Sequence, residues 1–80
     1  MKYSTAKLQN AFHRNSAPDG KSWTYEKVAA ASGGLALSTI YRVITEGLGH
    51  KDSVNAVALV LGFRNGRFDV ELKNGNRKRK

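Results

Sequence analysis

Apolar residues recur along the chain with two different periods. In residues 4–14, STAKLQNAFHR, Leu8, Ala11 and Phe12 fall at i, i+3 and i+4, and Ser4 or Thr5 stands ahead of them as a cap, which predicts a first helix. Pro18, Asp19 and Gly20 form a turn cluster that ends it, and the lone Trp23 that follows is expected to lie over the core. A second helix is predicted in TYEKVAAASGG. Thr24 caps it, Glu26 suits the positive end of the helix dipole, and Tyr25, Val28, Ala29 and Ser32 share the inner face. Gly33 and Gly34 break it sharply. In STIYRVITEG, Ile40, Val43 and Ile44 again share one face, predicting a third helix that runs to about Glu46 and stops at Gly47.

After GLGHK, Asp52 or Ser53 is the expected cap of a fourth helix, VNAVALVLG, closed by Gly62. Its stripe is Val54, Val57, Ala58 and Leu61, but Ala56, Leu59 and Val60 make it apolar nearly all round, so it needs cover on a second side. Beyond Phe63 the period falls to two: Phe68, Val70 and Leu72 alternate with Arg67, Asp69, Glu71 and Lys73, behind the turn signal Asn65–Gly66. That predicts a strand, and a strand needs a ladder partner. The expected partner is the same segment of a second copy, in a symmetric dimer that also buries Leu59 and Val60; a hairpin folded back near Phe63 is the alternative. The fold expected is therefore all-α, four or five short helices with a short C-terminal β-strand.

Eighty residues without cysteine make one small domain that has no disulfide or thiolate–zinc support. No apolar run approaches the roughly 18 residues of a membrane span, and MKYSTAKLQN lacks a signal-peptide core, so a cytoplasmic protein is expected. Fourteen Lys and Arg against six Asp and Glu give a net charge of +8, which implies a polyanionic partner, nucleic acid before membrane. Arg77, Lys78, Arg79 and Lys80 supply +4 of it, and a basic end of this kind is either a solvated tail or a source of sequence-blind attraction to phosphate.

Two short helices joined by a glycine turn, the second with an outward polar and basic face, meet the requirements of a helix-turn-helix, whose second helix enters the major groove. On that face Arg42 can give two hydrogen bonds to a guanine edge, and Ser38 and Thr39 can reach a base or a phosphate. Tyr41 and Thr45 can reach backbone or a thymine methyl, and Leu37 can meet a methyl as well. Lys21, Lys27 and Lys51 stand near helix starts that would face phosphates, His50 is a candidate phosphate contact in the glycine-rich break, and His13 is expected on the surface. No metal-ligand spacing, no Ser–His–Asp arrangement and no phosphate loop is present in the sequence, so neither an enzyme nor a metal or other cofactor is expected.

TYEKVAAASGGLALSTIYRVITEG followed by SVNAVALVLGF resembles the lambda repressor and Cro (XRE-type) family of helix-turn-helix proteins over roughly residues 22–63. The family's first-helix alanine corresponds to Ala29, its turn glycine to Gly33 or Gly34, its buried recognition-helix aliphatic to Ile40, and its later Leu-Gly to Leu61 and Gly62. IYRVITEG with VALVLGF also resembles bacterial or phage antitoxins, many of them dimeric repressors. The turn is one residue longer than is usual in the family, Tyr25 stands where members often have a DNA-contacting Gln, and Ala36 where a capping Ser is usual. The resemblance implies a lambda repressor-like bundle at residues 1–63 that binds double-stranded DNA as a homodimeric repressor at the nucleoid, a dimerisation segment at 64–73 and a basic tail at 74–80. The alternatives are a protein-interaction adaptor, such as a toxin neutraliser or phage inhibitor of polymerase, and a non-specific nucleic-acid binder.

Overall fold

The computed structural model describes residues 3–72, which form four helices: α1 (Thr5–Arg14), α2 (Tyr25–Ala31), α3 (Leu37–Glu46) and α4 (Lys51–Val60). A short 3-10 helix, Gly66–Asp69, follows. The described part of the fold is thus mostly helical.

Three of the helices begin where a side chain can accept from the first turn. Ser4 accepts from the Lys7 N–H and Thr24 from the Lys27 N–H, both at 3.2 Å. At α4 the expectation is corrected: neither Asp52 nor Ser53 caps it. His50 does, its Nδ1 accepting from the Asp52 N–H, because the helix starts at Lys51, two residues before the start that an Asp52 cap would give. The inward faces converge as their periodicity demands. Leu8 and Phe12, Val28, Ile40, Val43 and Ile44, and Val54, Val57, Ala58 and Leu61 make one core, which Trp23 closes from the loop before α2. α3 lies at its centre and packs against all three other helices.

Both ends of the described chain are tied to this core. Tyr3 donates its N–H to the Gly47 carbonyl at 2.9 Å, Ser4 donates to Val70, and Tyr3 forms an isolated antiparallel bridge with Glu71. The alternating segment is consequently not the expected strand: residues 66–69 coil, and Glu71 meets the amino-terminal end of its own chain. The reason is local. The Asp69 carboxylate accepts from both the backbone and the side-chain amide of Asn65, and Asn55 on α4 accepts from the Arg67 N–H at 3.0 Å. The Arg67 N–H, which an intermolecular ladder would have used, is thereby occupied. Gly66 is required at this crossing, since a Cβ would strike the Asn55 side chain. The 3-10 helix also supplies much of the second cover that α4 needs, and Val70, expected at a dimer interface, is wholly buried in the chain's own core. Lys73 and the tail lie outside the described residues.

The Tyr3 hydroxyl is buried and has no hydrogen-bond partner among the described residues. An unmet buried hydroxyl costs about 1–3 kcal/mol. Tyr3→Phe keeps the ring and removes that cost, so we expect it to raise stability by about 1 kcal/mol, a rise of roughly 4–8 °C in Tm for a domain of this size. Thermal melts followed by circular dichroism check this; a fall in Tm would mean that the hydroxyl is bonded.

Candidate nucleic-acid interface

α2 and α3 meet through a turn built on two glycines. Gly33 and Gly34 have φ of +92° and +103°, the Gly34 N–H donates to Ala29 at 3.0 Å, and half-buried Leu35 packs on the core before α3 begins. Glycine serves here because other residues resist these backbone angles. Ala36 precedes α3 with no side-chain cap.

With Ile40, Val43 and Ile44 turned inward, Leu37, Ser38, Tyr41 and Arg42 share the outward face. Leu37 is 48% exposed and Tyr41 51%, while the Arg42 side chain is 64% exposed. The nearest acid to Arg42 is Glu46 one turn on, at 3.9 Å, a distance at which a surface pair contributes roughly 0–1 kcal/mol and leaves most of the guanidinium's donors open. Ser38 is exposed. Thr39 is half-buried and, with Arg42, lines a small depression against Leu48, His50 and Ser53. Thr45 donates its hydroxyl to the Tyr41 carbonyl at 2.6 Å, so its oxygen is left as an acceptor.

Tyr25 stands where the two helices meet the surface. It stacks on Phe12 with ring centres 5.1 Å apart and planes 20° apart, and meets Tyr41 edge-to-face at 5.7 Å and 71°. Beside this pair runs an open groove of about 520 Å³ lined by Tyr25, Leu37 and Tyr41 together with Thr24, Glu26, Ser38 and Arg42. The contact between Tyr25 and Tyr41 joins two helices, and no periodicity within either one announces it.

The structure separates the lysines. Lys27 pairs with Asp19 at 3.0 Å and donates to the Ser22 carbonyl at 3.1 Å, so its charge is already engaged at the edge of α2. Asp19 is held below the ordinary carboxylate range, first by the Lys21 N–H and then by the Lys27 ammonium. A lowered carboxyl pKa stabilises the pair throughout neutral pH and releases it only in acid, as pH falls below the ordinary range and through the folded-state value. Lys51 and Lys21 are exposed. His13 is exposed, edge-on to Phe12, and His50 is engaged as a cap.

Of the residues expected to face a second copy, Leu59, Phe68 and Leu72 are exposed and Val60 is half-buried. The Arg67 guanidinium lies 4.3 Å over the Phe68 ring and bonds Glu71 at 3.1 Å. Charge is unevenly divided. Residues 3–72 hold eight Lys and Arg against six Asp and Glu, a net +2, whereas Lys2, Lys73 and Arg77–Lys80 supply the remaining +6. No helix of the described residues is long and apolar enough to cross a membrane. In comparisons with family models, curated proteins and solved structures, none matched the chain.

Proposed function

We propose that the protein is a transcriptional repressor that binds double-stranded DNA sequence-specifically, with α2 and α3 as a helix-turn-helix of the lambda repressor and Cro type. The observation that carries this reading is the outward face of α3. Leu37, Ser38, Tyr41 and Arg42 stand together on a helix whose other face is locked into the core. A major groove admits one such helix and offers base edges to those side chains. Arg42 is the residue expected to select a base. Ser38, Thr39 and Thr45 support contacts to bases or backbone, and Lys51 supports a phosphate contact. Lys27 drops out of that set, because Asp19 and Ser22 hold it. The small net charge of residues 3–72 fits a division of labour in which α3 selects sequence and the carboxy-terminal basic residues add attraction to phosphate.

In this reading the repressor is a homodimer, joined through Leu59, Val60, Phe68 and Leu72, that places two recognition helices about one turn of DNA apart and acts by occupying its site at the nucleoid. The exposed apolar residues Leu59, Phe68 and Leu72 also favour a second reading, an adaptor that docks a different protein there.

Selection from a random duplex library at near-physiological salt tests the proposal. The expected result is an inverted repeat with half-sites about 10 base pairs apart. Retained binding without enrichment would move the function to the basic residues alone. Deleting Arg77–Lys80 is expected to weaken binding to selected and random duplexes alike and to flatten the dependence of log K on log salt by up to about 0.9 for each phosphate no longer neutralised. Salt titrations of both proteins measure this, and abolition of all binding by the deletion would count against a reading helix.

A further inference from the structure

We infer that the groove between the start of α2 and the outer face of α3 receives the 5-methyl group of a thymine, in the base pair next to a guanine held by Arg42. The inference rests on the DNA-binding reading and specifies what that interface selects.

The lining of the groove is mainly apolar. Leu37 and Tyr41 stand one helical turn apart on the same stripe of α3, about 6 Å along the axis, and Tyr25 closes the third side. Tyr25 is itself fixed by stacking on Phe12, and it holds Tyr41 by the edge contact, so the groove is held from beneath by the core and needs no rearrangement to form. Two large side chains left half exposed on the face proposed to meet DNA offer contact to an apolar group there. Among the base-edge features of the major groove there is one such group, the thymine C5 methyl; the others are hydrogen-bond donors and acceptors.

Charge along the groove points the same way. Glu26 is among the lining residues, and a negative charge on it disfavours a phosphate nearby while leaving a neutral methyl unopposed. Arg42 also lines the groove and immediately follows Tyr41 in the chain. Its forked donors match guanine O6 and N7. A methyl between Leu37 and Tyr41 and a guanine under Arg42 therefore occupy neighbouring base pairs.

The test uses the full chain and its selected duplex, resynthesised with deoxyuridine in place of thymine one position at a time. Uracil lacks only the methyl. We expect one thymine in each half-site, beside a guanine, whose replacement weakens binding about fourfold, the value of one buried methyl-sized group. Leu37→Ala and Tyr41→Ala, checked for retained helicity and Tm, are expected to bind the thymine and uracil duplexes equally, to within about twofold. If uracil is tolerated at every position while the selected site is still preferred over random duplex, the groove assignment is overturned and the DNA-binding reading stands. The assignment falls in the same way if Leu37→Ala and Tyr41→Ala keep the full thymine preference, or if methylation of a cytosine, and not the thymine methyl, governs affinity. If no duplex is preferred at all, both readings fall together.

Discussion

Gly47→Ala is expected to leave much of the chain unfolded at physiological temperature. Gly47 closes α3 with φ +68° and ψ +24°, a left-handed conformation that costs an alanine about 1–2 kcal/mol. Its carbonyl accepts the Tyr3 N–H, and a Cβ on it would strike the Tyr3 carbonyl and press on the Thr5 methyl at 3.1 Å. Relief requires the amino-terminal segment to move, although Tyr3 is buried and Ser4 is bonded to Val70. Crowding of that kind typically costs a further 1–3 kcal/mol. A total on the order of 3 kcal/mol matches most of what a core of this size supplies, about 3–5 kcal/mol. Gly34→Ala is the control: its φ is +103° with nothing within 4 Å of the added methyl, so the backbone penalty acts alone, and a loss of about 1–2 kcal/mol is expected. Urea denaturation of the two variants separates strain from collision. Equal losses would mean that the Tyr3 contact contributes nothing.

The four helices were legible because each carries its signal within a few residues. Leu8, Ala11 and Phe12 fix the inner face of α1, Thr24 is a cap recognisable from its type and place, and Gly47 marks a stop. The segment after Phe63 misled for a physical reason. Phe68 and Leu72 point out and Val70 points in, as in a strand, but a 3-10 turn followed by a single bridge gives the same alternation. What decides between them is the acceptor Asn55, twelve residues away on α4, and the Asp69 carboxylate folded back on Asn65. Neither interaction leaves a periodic trace. Burial of Val70 follows from the same fold-back, and it removes that residue from any surface available to a second copy.

The candidate site was legible in part. Helical spacing alone puts Leu37, Ser38, Tyr41 and Arg42 opposite Ile40, Val43 and Ile44, and the structure brings those four together at one groove. The walls contributed by α2 were not legible, because the approach of Tyr25 to Tyr41 depends on the angle between helices and on Phe12 beneath them. Lys27 shows the opposite case. Its position beside a helix start suggested a phosphate contact, yet the turn cluster that ends α1 places Asp19 within 3.0 Å of its ammonium. A basic residue counts toward an anion site only after the acids that fold against it are known.

Arg42→Ala is expected to weaken binding to the selected duplex by about 1–3 kcal/mol, roughly fivefold to 150-fold, with little change in stability. The small structural cost follows from its surroundings: the side chain is 64% exposed and its ion pair with Glu46 spans 3.9 Å in solvent. The large binding cost follows from geometry, since a guanidinium can meet O6 and N7 of one guanine together and alanine offers neither bond. Arg42→Lys keeps the charge but not the fork, so it is expected to leave affinity for random duplex unchanged while discrimination at the guanine is lost. Glu46→Ala removes the competing acceptor, and a modest gain on specific and random duplexes alike is expected from the lost repulsion toward phosphate. Arg64, exposed in the turn after α4, serves as the comparison: Arg64→Ala should lower affinity uniformly if it lowers it at all. Competition titrations of these variants against the selected site, the site with its guanine replaced, and random duplex measure each effect. A uniform loss for Arg42→Ala across all three would make Arg42 a backbone contact and shift selection to the apolar groove beside it.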